Sequence, residues 1–546
     1  MRGQRGAAVI LCGCLAVAAF FRYQIADGFT HLFSDSYDGM LELALLDHWN
    51  NVLHGATAWS EPFFFFPQKG ALGYNDGYFV YGVIYSLFRA FHLDPLLSGE
   101  LVNVVVRAIG FFGAYAAARR ILDLPVAAAL LAATIFTLST GAYVQMDHAQ
   151  MLTVGFAPLL AVPLQSAARG LLAGDRRRLI GQGALFVVGY GAWLMTAYYT
   201  AWFFFLLTLA FSIAWLFFAP SETRRLLWAG LRREILPLLL LAALFALAVL
   251  PFLLLYLPKA AETGQRNYAE VTTFLPLPID IVNVGEGNLI WGKTFLAFCR
   301  LVGTPPPPWL TLAAGFPPLT LLMFVAAAVW LWRSPDADPR LRALMAAALV
   351  TWAMTLNIEG FSAYPAIYHL VPGAKAIRVV IRYQLIIGLP VIGLACAFLA
   401  SRAGRLPMVL LTAAGIFMVA EQFNHLAVRV IDRPKELARL GAVPPPPAAC
   451  GAFYIARNDH AAPGKADAIY RHSVDAMLLS GFLRLPTVNG VDSFAPPGYD
   501  LYRPDEPSYR DRVRAYAERY GVTGLCGLDM RTDNWLLPDQ TEGIPQ

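Results

Sequence analysis

The chain has 546 residues, of which 57% are hydrophobic and only 14% charged, with a mean hydropathy of +0.52 and a formal net charge of +5. Soluble chains carry about 25% charged residues, so these proportions exclude a soluble enzyme, a disordered protein and a secreted disulfide scaffold, and leave a polytopic membrane protein. No Lys/Arg-rich tract suits nucleic acid, and the modest positive excess fits membrane topology instead.

A spanning helix needs about 20 mostly apolar residues. Segments of that kind start near 6–22, 99–118, 124–142, 150–168, 179–196, 198–218, 235–257, 309–332, 342–357, 379–400 and 406–424, about eleven spans. The stretch 77–92 is apolar but interrupted by Asp76, Arg89 and His92, and reads as an interfacial helix. With the N-terminus cytoplasmic and 77–92 not crossing, the cytoplasmic segments hold seventeen arginines, among them Arg119, Arg120, Arg176, Arg177 and Arg178. The opposite short loops hold eight basic residues. Making 77–92 cross would reverse that bias and violate the positive-inside rule.

The outer side then receives three long segments, 23–98, 258–308 and 358–378, and everything after 425. The first carries Asp27, Asp35, Asp38, Glu42, Asp47, Glu61, Asp76 and Asp94, an acidic loading that an outward-facing active site explains and a simple carrier does not. A Pro305–Pro308 run marks the end of the second segment, and Pro444–Pro447 stiffens the entry to a polar C-terminal region. In that region Tyr509–Tyr520 reads as an amphipathic helix and 521–525 as a short strand. Cys450 and Cys526 both lie there, where an oxidising compartment favours their pairing. The fold class expected is an α-helical polytopic membrane protein, residues 1–425 with the outer loop 23–98, followed by a small extracytoplasmic α/β domain over 426–546.

Three constellations carry chemistry. Phe33-Ser34-Asp35-Ser36-Tyr37-Asp38-Gly39 precedes a stretch, Met40–Gly55, patterned as an amphipathic helix lying on the membrane. Asp35 and Asp38 are each either a helix cap or a general base for a sugar hydroxyl, with Asp38 the better placed to cap. Asp147-His148, in a short loop between apolar segments, is either a solvated turn or a place for a divalent ion and substrate, Asp147 as metal ligand and His148 as substrate contact. Lys375, Arg378 and Arg382 enter an apolar run from the outer side, against the positive-inside bias, and suit a phosphate. Asn75-Asp76-Gly77 is a turn and helix cap with Asp76 a further substrate-binding candidate, Arg107 is either a similar phosphate-suited cation or the partner of Glu100 or another acid, and Trp193, Tyr198, Tyr199 and Trp202 read as an interfacial aromatic belt. No Walker motif, nucleotide fingerprint, Ser-His-Asp order or HExxH occurs.

Taken in order, these features resemble the GT-C class of integral-membrane glycosyltransferases: a first span, a large outer loop opening on an Asp motif, and then a span ending Ala116-Ala117-Ala118-Arg119-Arg120-Ile121-Leu122, similar to that class's "LLARRL". The stretches Phe64-Phe65-Phe66-Pro67 and Gly73-Tyr74-Asn75-Asp76 resemble the "FYP…S-D" region of a bacterial subgroup, and Arg378-Val379…Arg382-Tyr383 resembles its "R-V-P-A-R-F". The resemblance covers roughly residues 1–425. It implies a polyprenyl-phosphate-linked sugar donor, inverting transfer to a glycan, lipid or protein acceptor, and placement in a bacterial inner membrane with the C-terminal region periplasmic. It further implies Asp35 or Asp38 as base, Asp147 as a contact to Mg, Mn or the acceptor, and Arg378 and Arg382 on the donor phosphate. Many members show an adjacent Asp-Glu pair where this chain has Asp35 and Asp38 three apart, so the base stays open between them, with Asp35 narrowly favoured because it comes first after the span while Asp38 is better placed to cap the helix. The rival readings are a transporter or flippase of lipid-linked saccharides and a non-catalytic envelope assembly protein.

Overall fold

Every apolar segment singled out above contains a helix in the computed structural model, which describes residues 2–303, 312–425, 430–458 and 466–537; the Pro305–Pro308 run lies outside these. The helices are Arg2–Phe20, Pro95–Arg120, Val126–Leu138, Phe156–Ala173, Arg176–Leu194, Tyr198–Phe218, Ile235–Thr263, Pro318–Arg333, Pro339–Thr355, Tyr383–Ser401 and Met408–Ala420. Among the described residues six helical stretches are long and apolar enough to cross a membrane: Pro95–Arg120, Val126–Tyr143, Ala149–Ala173, Tyr198–Phe218, Ile235–Thr263 and Val380–Ser401. The chain is therefore a mostly helical, multi-pass membrane protein. The stretch 77–92 folds as a helix of 12 residues, Phe79–Ala90. That is about 18 Å long, well short of a hydrocarbon core of about 30 Å.

Burial sorts these helices in a way hydropathy does not. The Ile235–Thr263 helix turns Leu236, Leu239, Leu240, Leu247 and Leu254 outward. The Tyr383–Ser401 helix is nearly all interior, from Tyr383 to Ala397 with one half-exposed residue. Arg107 does not pair with Glu100. Its Nε donates to the Thr137 carbonyl at 2.7 Å and its Nη2 to that of Phe136 at 2.7 Å, and its guanidinium sits 4.7 Å from the centre of the Phe20 ring. It satisfies the last carbonyls of the Val126–Leu138 helix, where a cation also meets the negative end of the helix dipole.

The expected membrane-surface helix is instead protein-covered. Asp38–Leu53 buries every residue from Met40 to Asn51, because Phe79–Ala90, Pro95–Arg120 and Ala466–Leu483 pack around it. Its polar face is sealed by hydrogen bonds: Tyr85 to Asp47 at 3.2 Å, Asn51 to Asp47 at 2.9 Å and Asn51 to the Gly481 carbonyl at 3.1 Å. The packing with Phe79–Ala90 is close enough that a Cβ at Gly82 would collide with the Trp49 ring.

The C-terminal region contributes a three-stranded sheet. Ala452–Arg457 pairs in parallel with Leu525–Asp529, which pairs antiparallel with Asn534–Leu536. The Tyr509–Tyr520 helix has the expected bounds, but the following strand starts only at Leu525, since Gly521 (φ 64°) and Gly524 (φ 63°) turn the chain between them. Cys450, just ahead of the first strand, forms a disulfide with Cys526 in the second, with Cα atoms 5.5 Å apart. This region is stitched to the first long loop through backbone hydrogen bonds from Phe65 to Asn489 (3.1 Å), Phe66 to Thr487 (2.9 Å) and Thr487 to Phe63 (2.8 Å). A short antiparallel pairing of His31–Leu32 with Ile431–Asp432 and an Arg433–Asp94 ion pair at 2.7 Å add to this, and one continuous apolar core runs through both.

Candidate active site

The Asp motif splits its two carboxylates between two jobs. Asp35 is buried, and its Oδ1 accepts from the backbone N–H of Tyr37 (3.0 Å) and Gly39 (3.4 Å). The capping task expected of Asp38 thus falls on Asp35, whose position ahead of the helix lets it reach the first unpaired N–H groups. Asp38 is the first helical residue. Its Oδ1 accepts from the Tyr470 hydroxyl at 2.7 Å, its Oδ2 lies 3.2 Å from His148 Nδ1, and its side chain stays 38% exposed.

One helical turn further, Glu42 holds the loop that carries His148. Glu42 Oε1 accepts from the Tyr78 hydroxyl at 2.7 Å and Oε2 from the Ala149 N–H at 3.2 Å, while the Tyr81 hydroxyl donates to the Ala149 carbonyl at 2.8 Å. Ala149, next to His148, is therefore held at both its N–H and its carbonyl. Burial pushes the Glu42 carboxyl well above the usual carboxylate range, with the Tyr78 hydrogen bond working against it.

Asp76 caps a helix other than its own neighbour. Its Oδ1 accepts at 2.7 Å from the N–H of Tyr198, the first residue of Tyr198–Phe218, whose own flanking residue Ala197 offers no side-chain acceptor. Burial raises the Asp76 carboxyl to about 6, against the opposing pull of the Tyr198 hydrogen bond and the Arg382 charge. Arg382 is buried, donates from Nε to Gln145 Oε1 at 3.1 Å, and lies in the combined field of Asp38, Asp76 and Glu42. Asp492, from the C-terminal region, joins the same group: burial raises its carboxyl well above the ordinary range, and the charges of Asp76 and Asp38 push it further up.

Arg378 and Lys375 sit on a separate, basic rim. Arg378 Nη1 is 3.4 Å from Glu270 Oε1, and Arg266 Nη1 is 3.6 Å from the same oxygen, so two guanidinium groups share one carboxylate. Arg266 also donates from Nη2 to the Ser493 carbonyl at 2.7 Å and lies 4.1 Å from the centre of the Phe494 ring. Burial and then the neighbouring Arg378 charge lower the Arg266 pKa. The Lys375 ammonium lies 5.8 Å from the Tyr368 ring centre.

The aromatic residues read as a belt hold this rim in place. The Arg378 N–H donates to the Tyr199 hydroxyl at 2.9 Å, the Tyr198 hydroxyl to the Gly373 carbonyl at 2.9 Å, and Trp202 Nε1 to the Pro372 carbonyl at 2.8 Å. Gly373 adopts φ 84°, and a Cβ there would strike the Tyr198 hydroxyl. Trp193 is fully buried and donates to Thr200 Oγ1 at 3.0 Å. These rings face protein because a loop needs their polar tips, a requirement invisible to an aromatic count.

The structure thus brings Asp38, His148, Asp76 and Arg382 into one nest and sets Arg378 and Lys375 on a rim joined to it through Tyr199 and Asp76. Asp147, expected to hold Mg or Mn, adjoins His148, but no group of three or more metal-ligating side chains gathers among the described residues. Sequence reasoning missed Glu42, Arg266, Tyr470 and Asp492 as members. The i, i+4 spacing of Asp38 and Glu42 was a usable signal. Tyr470 and Asp492 carried none, since they arrive from more than 400 residues away, as the separation of 432 between Tyr470 and Asp38 illustrates.

No protein-family model and no curated protein sequence matches the chain. Among solved structures it is similar to the arabinofuranosyltransferase AftD from Mycobacteria, with a TM-score of 0.49 and 15% identity over 90% of this chain and 32% of AftD. It is similar to the Archaeoglobus fulgidus oligosaccharyltransferase in complex with Zn and sulfate, with a TM-score of 0.46 and 12% identity over 88% of this chain and 62% of that one. It is also similar to ArnT from Cupriavidus metallidurans bound to undecaprenyl phosphate, with a TM-score of 0.38 and 14% identity over 94% and 91% of the two chains. These neighbours are GT-C glycosyltransferases, and the chain spans about a third of the first and under two thirds of the second. All three TM-scores lie under 0.5, so the functional reading rests on the motifs and the geometry of the site.

Proposed function

We propose that this chain is a GT-C-type membrane glycosyltransferase that moves a sugar from a polyprenyl-phosphate carrier to an acceptor hydroxyl on the outer face of a bacterial inner membrane. The observation that carries this is Asp38: a carboxylate at the mouth of the first outer loop, open on one side, contacted by His148 and Tyr470, and backed by a buried arginine. In this reading Asp38 takes the proton of the acceptor hydroxyl as that oxygen bonds to the anomeric carbon. The bond from that carbon to the phosphate oxygen breaks, and the leaving phosphate keeps the electron pair. Attack opposite the leaving group inverts the anomeric centre.

Arg378, Arg266 and Lys375 supply the positive rim that suits the departing phosphate, since two guanidiniums sharing one carboxylate leave spare charge. Arg382 serves the acids instead, keeping Asp76 and Asp38 in a tolerable field inside a buried nest. The acceptor is a glycan, lipid or protein, and residues 426–546 lie on the same outer side as the loop 23–98. The division into a membrane part, 1–425, and an outer C-terminal part belongs to this proposal.

The test is product formation by the purified chain with a panel of polyprenyl-phosphate sugars and mixed envelope acceptors. Donor-dependent transfer that Asp38→Asn abolishes supports the reading. Movement of intact lipid-linked saccharide across vesicles without product would replace it with a flippase.

A further inference from the structure

Tyr470 has a position that its own helix does not explain. It belongs to Ala466–Leu483, yet its hydroxyl crosses to the Asp motif and donates to Asp38 Oδ1 at 2.7 Å. Its ring meets Tyr37 edge to face, with centroids 6.2 Å apart, so both the ring and the hydroxyl are held over the start of the Asp38–Leu53 helix. Burial and the nearby Asp38 charge keep the phenol protonated, which makes it a donor to that carboxylate.

A length of 2.7 Å is the ordinary O–H···O distance, the same one a sugar or lipid hydroxyl must reach before a carboxylate can take its proton. The other Asp38 oxygen already faces His148. An incoming hydroxyl that approaches Oδ1 from the side Tyr470 occupies competes with the phenol for that lone pair.

We infer that Tyr470 marks the acceptor-hydroxyl position and selects acceptor over water: its phenol fills that position until a hydroxyl-bearing acceptor with enough contacts of its own displaces it. This rests on Asp38 being the base. The chemistry guarded against is hydrolysis of the donor. In that reaction a water oxygen bonds to the anomeric carbon, its proton passes to Asp38, and the sugar–phosphate bond breaks with the electron pair leaving on phosphate. A lone water lacks the additional contacts that a saccharide or lipid acceptor brings, so it displaces the phenol poorly.

The experiment uses the full purified chain in detergent. Water-soluble carbodiimide with glycine ethyl ester labels accessible carboxyl groups, and mass spectrometry reads the rate at Asp38, with the exposed Asp511 as internal reference. In Tyr470→Phe the Asp38 rate rises about tenfold, the worth of one hydrogen bond to a charged group, while Asp511 is unchanged. Tyr470→Leu, which also removes the ring from Tyr37, gives a larger rise, and thermal unfolding of both variants checks that they fold. With a donor that supports transfer, Tyr470→Phe raises the ratio of sugar released to water over sugar transferred to acceptor.

An unchanged Asp38 labelling rate overturns the inference. So does a fall of hydrolysis and transfer together, which would make Tyr470 a residue that merely orients Asp38. Wild-type transfer by Asp38→Asn instead removes the base reading, whatever Tyr470 does to the labelling.

Discussion

Arg378 and Arg382 stand four positions apart in one segment, yet the acid nest around the second and the basic rim around the first are opposite environments. Arg382 is buried and lies in the field of Asp38, Asp76 and Glu42. Arg378 is 41% exposed and shares Glu270 with Arg266, so positive charge is left over. The same side chain is thus buried among carboxylates in one place and half-exposed with a shared partner in the other, and in the proposed function only the second faces the donor. Burial and the local count of carboxylates decide between the two.

That contrast is broken or sharpened by five substitutions. The largest effect is expected at the open carboxylate of the nest: Asp38→Asn cuts sugar transfer by about 10²–10⁴-fold, the usual worth of a positioned base, with an unchanged unfolding midpoint. Asp35→Asn leaves most of the activity, because Asn caps as well as Asp. Equal losses in the two variants would erase the division of labour between them.

Arg382→Gln comes next. It strips a buried counter-ion from several acids and should cost about 3–5 kcal/mol of stability, read as a lowered unfolding midpoint in detergent. A variant of wild-type stability with weakened donor binding would instead place Arg382 on the phosphate. For the rim, Arg378→Ala raises the donor KM about tenfold, roughly one charge-assisted contact, and leaves the unfolding midpoint nearly in place. Added salt should weaken donor binding less in this variant than in wild type.

The smallest effect is one of pH. The Asp76 carboxyl is raised from 3.8 to about 6 in the folded chain. The unfolded chain then holds its Asp76 proton less tightly than the folded chain does. This contribution to stability is complete below the ordinary carboxylate range and is lost as pH rises through about 6. Asp76→Asn keeps an acceptor for the Tyr198 N–H and does not titrate, so unfolding midpoints from about pH 4 to pH 7 should fall less in the variant than in wild type. Parallel curves would show that Asp76 is not held in the nest as described.

Much of this was legible in the residues themselves. Hydropathy and helical period are local properties, and they located the helix-bearing segments, the short Phe79–Ala90 helix and the amphipathic Tyr509–Tyr520 helix. The Asp motif, the Asp147-His148 turn and the Arg378…Arg382 entry were visible for the same reason, as charges set beside apolar runs where they are costly. The misjudged features share a different cause. Asp38–Leu53 has the pattern of a membrane-surface helix, but polar residues on a helix can be satisfied by protein as well as by water, and here Tyr78, Tyr85 and Gly481 do so. The supposed aromatic belt failed likewise, its polar tips being claimed by residues 372–378.

By itself, then, the sequence determined the membrane class of the chain, its helical segments and the acidic loading of residues 23–98, because each depends only on neighbours along the backbone. Tertiary structure alone decided which carboxylate caps and which stays open, which arginine is neutralised and which is spare, and that the C-terminal region reaches the Asp motif through Tyr470. Those outcomes depend on charges and hydroxyls brought together across hundreds of residues, and in a buried, low-dielectric setting such partners, more than residue type, set what a side chain can do.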